Sequence, residues 1–205
     1  MKKIIIISAI VVVSGVVGYL LLKKDVQIKN TPPKNETVLI FGDSLAEGAG
    51  ATGGNDLASR LEKRLGKPVL NYGRSGDTTR DASERVAAAA AEDPGVVIII
   101  LGGNDVLKKI PQAETFANLE KIVTSFQDSG AAIMLVGVRS GLIGDGRGDD
   151  FAAVAQKTGA LYVPDILKGL FADTRYMSDA IHPNNVGYGM IEERLVPMLS
   201  SLFGN

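Results

Sequence analysis

The chain contains a single histidine, His182, set in Asp179-Ala180-Ile181-His182-Pro183. A serine at position 44 follows an apolar run, in Gly42-Asp43-Ser44-Leu45. Together these residue types define one chemistry. A serine hydroxyl is a poor nucleophile until a base within hydrogen-bond reach takes its proton, and an imidazole base works best when a carboxylate fixes its tautomer. Asp179 precedes His182 by three positions. Pro183 biases the histidine towards extended backbone, so a local loop can turn the carboxylate back onto Nδ1–H and leave Nε2 for the serine. The plainer alternatives are structural: Asp43 or Ser44 as a helix cap, and His182 as a surface residue beside a cap formed by Asn184 or Asn185.

Two more segments could serve developing negative charge. Gly102-Gly103-Asn104-Asp105 offers a side-chain amide after two small residues. Such a donor, aimed at an oxyanion, is typically worth a factor of about 10²–10³ in rate, whereas an Asx turn is the structural alternative. The stretch Asn71-Tyr72-Gly73-Arg74-Ser75-Gly76-Asp77-Thr78 holds two glycines. Either Gly73 or Gly76 could present a backbone N–H, and the residues alone leave both open. Backbone N–H groups beside Ser44, where a strand stops and a helix can begin, are likewise unpaired and point outward.

The elements that must carry these residues can be read from the pattern. Val38–Phe41, a strand opening at Val69-Leu70, Val96–Leu101, Ile133–Val138 and Leu161–Val163 are apolar runs suited to buried strands. Between them lie helical segments: Leu57, Leu61 and Leu65; Arg80–Glu92, ending before Pro94; Phe116, Leu119, Val123 and Phe126, stopping at Gly130; and Phe151, Val154 and Ala155. Val186–Leu202 closes the chain, with Ile191, Leu195, Leu199 and Leu202 on one face. Apolar strands alternating with helices predict a parallel sheet covered on both faces, an α/β/α sandwich with right-handed crossovers. Ligands of such sheets sit beyond the carboxyl ends of the strands. The segments containing Ser44, Gly76 and Asn104 each follow a strand, so all three fall on that edge. The glycine-rich stretch Gly141–Gly148, with Asp145 and Arg147, reads as a mobile loop over the site, and Ser140–Asp149 as a source of pocket walls.

Bulk properties narrow the alternatives. A formal net charge of −1 over 205 residues gives no basic face for a nucleic acid. Without cysteine there is no disulfide framework, thiolate nucleophile or zinc–thiolate site, and a lone imidazole argues against a transition-metal cage. No Gly-Lys-Ser/Thr phosphate loop occurs. The N-terminus differs in kind. Ile4–Leu22 is an uncharged run of about 19 residues, flanked by Lys2-Lys3 and Lys23-Lys24, and as a helix it just covers a hydrocarbon core. Residues 1–24 are therefore expected to form a hydrophobic helix that anchors the chain in a membrane, with the domain on the outer side. Export after signal cleavage is the alternative. Residues 25–36, with Pro32-Pro33, read as an extended linker, and residues 37–205 as the domain.

Taken together, the segments resemble the SGNH, or GDSL, hydrolase superfamily, and within it the bacterial arylesterase, thioesterase and lysophospholipase branch. The resemblance runs from Val38 to about Leu199. Gly42-Asp43-Ser44-Leu45 is similar to its first block, the Gly76 segment to its second, Gly102-Gly103-Asn104-Asp105 to its third and Asp179-Ala180-Ile181-His182-Pro183 to its fifth; Ala180 stands where that branch commonly has glycine. The resemblance implies a flavodoxin-like five-stranded parallel sheet and a serine esterase or thioesterase acting on acyl chains. It implies Ser44 as nucleophile, His182 as base and Asp179 as its orienting carboxylate. The oxyanion hole would comprise Ser44, Gly76 (in preference to Gly73) and Asn104. Neither metal nor cofactor is implied, and the expected partner is a small-molecule or lipid acyl ester. Acetyl esters on a cell-envelope polysaccharide are the alternative substrate, and an anchored acyl-binding module with a silent triad the alternative class.

Overall fold

A run such as Val96–Ile100 is apolar at every position because both of its faces are covered. In the computed structural model, which describes residues 27–138 and 147–204, it is the fully buried strand β3. The other strands are β1 (Val38–Gly42), β2 (Val69–Gly73), β4 (Ala132–Val136) and β5 (Leu161–Val163). All pair in parallel in the order β2-β1-β3-β4-β5. Helices α1 (Ser44–Glu47), α2 (Leu57–Leu65), α3 (Thr79–Ala90), α4 (Gly103–Leu107), α5 (Gln112–Asp128) and α6 (Arg147–Thr158) lie in the connections, and α7 (Asn185–Leu202) follows the last strand. The expected three-layer α/β/α sandwich with a five-stranded parallel sheet is the fold observed.

Alternation along each strand divides the core in two. Val38, Ile40, Ile98 and Met134 face Leu57 and Leu61 of α2 and Tyr188, Ile191 and Leu195 of α7. Leu39, Phe41, Ile99 and Leu135 face Leu119, Val123 and Phe126 of α5 and Phe151 of α6. Burying each such aliphatic side chain contributes about 1.5–3 kcal/mol. Helix ends follow local chemistry. Thr78 and Asp81 form a reciprocal capping box on α3, Asn184 accepts the Val186 and Gly187 N–H groups to start α7, and Gly66 ends α2 at φ +64°.

Several boundaries differ from the sequence reading. Strand β4 stops at Val136, two residues early, because the Gly137 N–H donates to Val163 and its carbonyl accepts from Ile166. Arg147 and Gly148, read as loop, open helix α6. The polar stretch before β1 does not stand free over residues 29–35. Lys29 N–H donates to the Gly159 carbonyl (2.9 Å), and the Asn30 amide to the carbonyls of Gln127 and Ala131 (2.8 and 2.9 Å). Lys34 donates to the Ser129 carbonyl (2.7 Å) and Asn35 to the Asp93 carbonyl (2.8 Å). Its polar residues thus satisfy loop carbonyls at the edge opposite the strand C-termini. The expected N-terminal hydrophobic helix, and residues 141–146 of the loop expected over the site, lie outside the described residues. Among the described residues, no helix is long and apolar enough to cross a membrane.

Candidate active site

The strand order reverses between β1 and β3, and a crevice opens there at the carboxyl edge. Ser44 leaves β1 on one side of it and Asn104 leaves β3 on the other. Asp43 caps the four-residue helix α1, its Oδ1 accepting the Leu45 N–H at 3.0 Å. The capping role thus falls to Asp43, and Ser44 is left to face the crevice. Ser44 is the first residue of α1, where a backbone N–H has no intrahelical partner.

His182 comes from a loop far along the chain, before α7. Its Nε2 lies 3.0 Å from Ser44 Oγ, and its Nδ1 lies 2.8 Å from Asp179 Oδ2. A carboxylate only accepts, so Nδ1 carries the proton and Nε2 is the acceptor facing the serine hydroxyl. Asp179 Oδ1 also accepts the N–H groups of Ile181 and His182, each at 2.8 Å. The carboxylate is therefore fixed within its own loop. These hydrogen bonds, the one from His182 first, hold its pKa down at about 2, although the side chain is half-exposed. Ala180 is exposed and not at positive φ, so its methyl group fits where glycine was expected.

The serine and histidine loops are latched together. The His182 carbonyl accepts from Ser178 N–H (2.9 Å), and a bridge joins Met177 to Pro183. Asn185 accepts the Thr52 N–H (2.9 Å) and donates to Thr52 Oγ1 (3.0 Å). The buried Tyr188 hydroxyl donates to the Ala49 carbonyl at 3.0 Å. Gly50, at φ +89°, lies directly against the histidine loop: a Cβ there would sit 2.4 Å from the Pro183 carbonyl oxygen.

Asn104 lines the same crevice, within the short helix α4 rather than an Asx turn. Its amide donates to the Asp77 carbonyl at 3.0 Å, leaving the second N–H for another acceptor. Gly76, next to Asp77, is exposed at φ +84° and lies outside the pocket wall; Lys108 Nζ donates to its carbonyl at 2.9 Å. The two candidate glycines have different constraints. A Cβ at Gly73 would fall 2.0 Å from the Glu47 nitrogen, so Gly73 is a packing requirement of α1 against β2, whereas a Cβ at Gly76 would meet open space.

The pocket around Ser44, Asn104 and His182 has a volume of about 300 Å³. Its apolar wall comes from Leu45, Leu107, Val138, Leu167, Phe171 and Ile181. Leu167 and Phe171, from the loop after β5, gave no periodic signal in the sequence. Three carboxylates of these segments are buried, Asp43, which lines the pocket, Asp77 and Asp105. Asp105 accepts from Thr79 N–H (2.9 Å), Thr79 Oγ1 (2.6 Å) and Thr115 Oγ1 (3.2 Å). Asp77 pairs with Arg85 (2.6 Å). Burial, aided by repulsion from Asp105 and Asp77, pushes the Asp43 carboxyl up to about 7. Among the described residues, no group of three or more acidic or histidine side chains is arranged to hold a metal.

The chain has relatives among known proteins. The GDSL-like lipase/acylhydrolase family model matches residues 40–190. The Pseudomonas aeruginosa esterase TesA is 30% identical over 179 residues, spanning 82% of this chain and 89% of its own. The Escherichia coli thioesterase 1/protease 1/lysophospholipase L1 is 26% identical over 178 residues, spanning 82% of this chain and 85% of its own. A crystal structure of TesA superposes with a TM-score of 0.76 at 30% identity, covering 81% of this chain and 99% of that one. The SGNH-hydrolase family esterase AlinE4 does so at 0.63 and 29%, covering 82% and 96%. Family match, relatives aligned over most of their length and shared fold agree: this chain belongs to the GDSL-like lipase/acylhydrolase family and is an ester hydrolase.

Proposed function

We propose that the enzyme cleaves carboxylic esters or thioesters of acyl chains through a Ser44–His182–Asp179 triad and an acyl-enzyme. The single observation that carries this reading is the unbroken hydrogen-bond chain from Ser44 Oγ through the imidazole to Asp179. As Ser44 Oγ attacks the acyl carbonyl, His182 Nε2 takes its proton, and the imidazolium is stabilised by Asp179. The carbonyl oxygen becomes an oxyanion, received by the Ser44 N–H, the Gly76 N–H and the free N–H of the Asn104 amide. Collapse breaks the ester C–O bond, and the leaving alcohol takes the proton from His182. Water then attacks the acyl-enzyme with His182 again as base, releasing the acid and restoring the Ser44 hydroxyl.

The apolar wall supports an acyl chain over an acetyl group. A pocket of about 300 Å³ lined by Leu107, Leu167, Phe171 and Ile181 provides more apolar surface than an acetyl methyl needs. The test is Ser44→Ala. It should abolish ester hydrolysis and fluorophosphonate labelling while leaving the circular dichroism spectrum and thermal transition intact. Labelling that persists in the variant overturns the assignment.

A further inference from the structure

We infer that Arg85, on α3, is a positioning residue for the oxyanion site: its guanidinium ties Gly42, Tyr72 and Asp77 together and thereby sets the relative positions of the segments that carry the three oxyanion donors. This rests on the donor assignment proposed above. Arg85 touches no atom of the reaction centre. Its Nε donates to Asp77 Oδ2 at 2.6 Å, Nη1 to the Tyr72 carbonyl at 2.8 Å and Nη2 to the Gly42 carbonyl at 2.8 Å. Its Cζ lies 4.3 Å from the centroid of the Phe41 ring, so the guanidinium is also held on an aromatic face.

Each of these acceptors lies close to a donor. Gly42 ends β1, two residues before Ser44, and its carbonyl also accepts the Arg74 N–H at 3.0 Å. Tyr72 lies near the end of β2, at the root of the loop carrying Gly76. Asp77 follows Gly76 directly, and its carbonyl receives the Asn104 amide at 3.0 Å. One rigid fork therefore joins the nucleophile strand, the glycine loop and, through Asp77, the asparagine. Glu47 also restrains the glycine loop, accepting the Ser75 N–H (2.8 Å), but that bond is exposed to solvent. Arg85 is only 19% exposed and its partner Asp77 7%, so this pair is shielded from competing water. Lysine has the charge but not the fork, and could not meet three acceptors in these directions.

Arg85→Lys and Arg85→Met in the full chain test the inference, with p-nitrophenyl butyrate as substrate. Active sites are counted by the endpoint stoichiometry of fluorophosphonate labelling, so misfolded material does not enter kcat. Displacement of the donors by about 1 Å costs on the order of 10²-fold. The expected result is therefore a kcat per labelled site lowered about tenfold to a hundredfold, with KM changed less than about threefold. A purely structural role would lower the melting temperature and the labelled fraction but leave kcat per labelled site unchanged, and that outcome overturns the inference. The double variant with Asn104→Ala asks whether the effect passes through the oxyanion site. Its loss should be well short of the product of the single losses, and simple multiplication overturns the inference. Should the Arg85 variants not fold, Asp77→Asn weakens the same pair nearly isosterically; it should lower kcat at constant KM, and an unchanged kcat overturns the inference. Unchanged kcat in these variants, with normal Ser44 labelling, sinks this inference alone. Labelling that survives Ser44→Ala sinks the reading beneath it.

Discussion

Gly50 makes the dependence of catalysis on loop packing measurable. At Gly50 an added Cβ would lie 2.2 Å from Ser178 Oγ and 2.4 Å from the Pro183 carbonyl oxygen, where real Cβ contacts shorter than 3.0 Å are essentially never seen. The Ser178 hydroxyl can rotate away. The Pro183 carbonyl belongs to the backbone of the histidine loop, and must retreat from 2.4 Å to 3.4 Å, about 1.0 Å, for an ordinary contact. His182 is the adjacent residue, and its Nε2 has only a 3.0 Å hydrogen bond to Ser44 to spare. A shift of that size towards solvent stretches the bond beyond good geometry, and misplacements of about 1 Å cost on the order of 10²-fold. Gly50→Ala should therefore lose about tenfold to a hundredfold in kcat on a chromogenic ester. Gly53→Ala is the matched control, since Gly53 is also left-handed, at φ +56°, but an added Cβ there meets nothing within 4 Å. Both substitutions pay roughly 1–2 kcal/mol for a left-handed alanine. Only Gly50→Ala should lose turnover beyond what folded fraction explains. Equal kcat in the two variants would refute the argument that this contact sets the Ser44–His182 distance.

Asp179→Asn places an amide where Nδ1–H needs an acceptor, and should lower kcat by about 10³–10⁴-fold in steady-state ester assays. Its effect on stability should depend on pH. The folded carboxyl is held at about 2 against an ordinary value of 3.8, chiefly by His182, so its stabilisation is present above about pH 4 and fades as pH falls towards 2. Urea denaturation of both proteins between pH 6 and 2 should show the gap closing at the acid end, and a gap that stays constant contradicts the assignment. Asp43 has the opposite sign. Burial pushes its folded pKa up to about 7, so the unfolded chain ionises first and stability falls as pH rises from about 4 to about 7. Asp43→Asn retains a capping oxygen and loses the ionisation. Its melting temperature should gain on that of the unsubstituted protein across this window and then level off, whereas a flat difference would show that Asp43 ionises as freely folded as unfolded.

The sheet was legible because parallel strands are buried on both faces, so β1, β3 and most of β4 appear as unbroken apolar runs. Helices α1 and α4 were not, because four and five residues are too few to display a period. Both are set by tertiary constraints: α1 by its close packing over Gly73, and α4 by the buried Asp105 tied to Thr79 and Thr115. The segment before β1 looked like a free linker because its composition is polar. Its partners, Gln127, Ala131, Ser129 and Asp93, lie 58–101 residues away, beyond any local pattern. Leu167 and Phe171, which wall the pocket, belong to a loop with no apolar repeat.

The amino-acid sequence by itself determined which groups are available: one imidazole, a serine after a buried strand, an asparagine after two glycines and an aspartate three residues before the histidine. It also determined the alternation of strands and helices that sends every strand end to a common edge. The tertiary structure alone decided the distances. Ser44 and His182 are 138 residues apart, and their 3.0 Å contact exists because Tyr188, Asn185 and Gly50 lock the two loops together. The role of Arg85 is tertiary in the same sense. A helical arginine looks like any solvated charge in sequence, and only packing reveals that its donors meet the Tyr72 and Gly42 carbonyls and the Asp77 carboxylate.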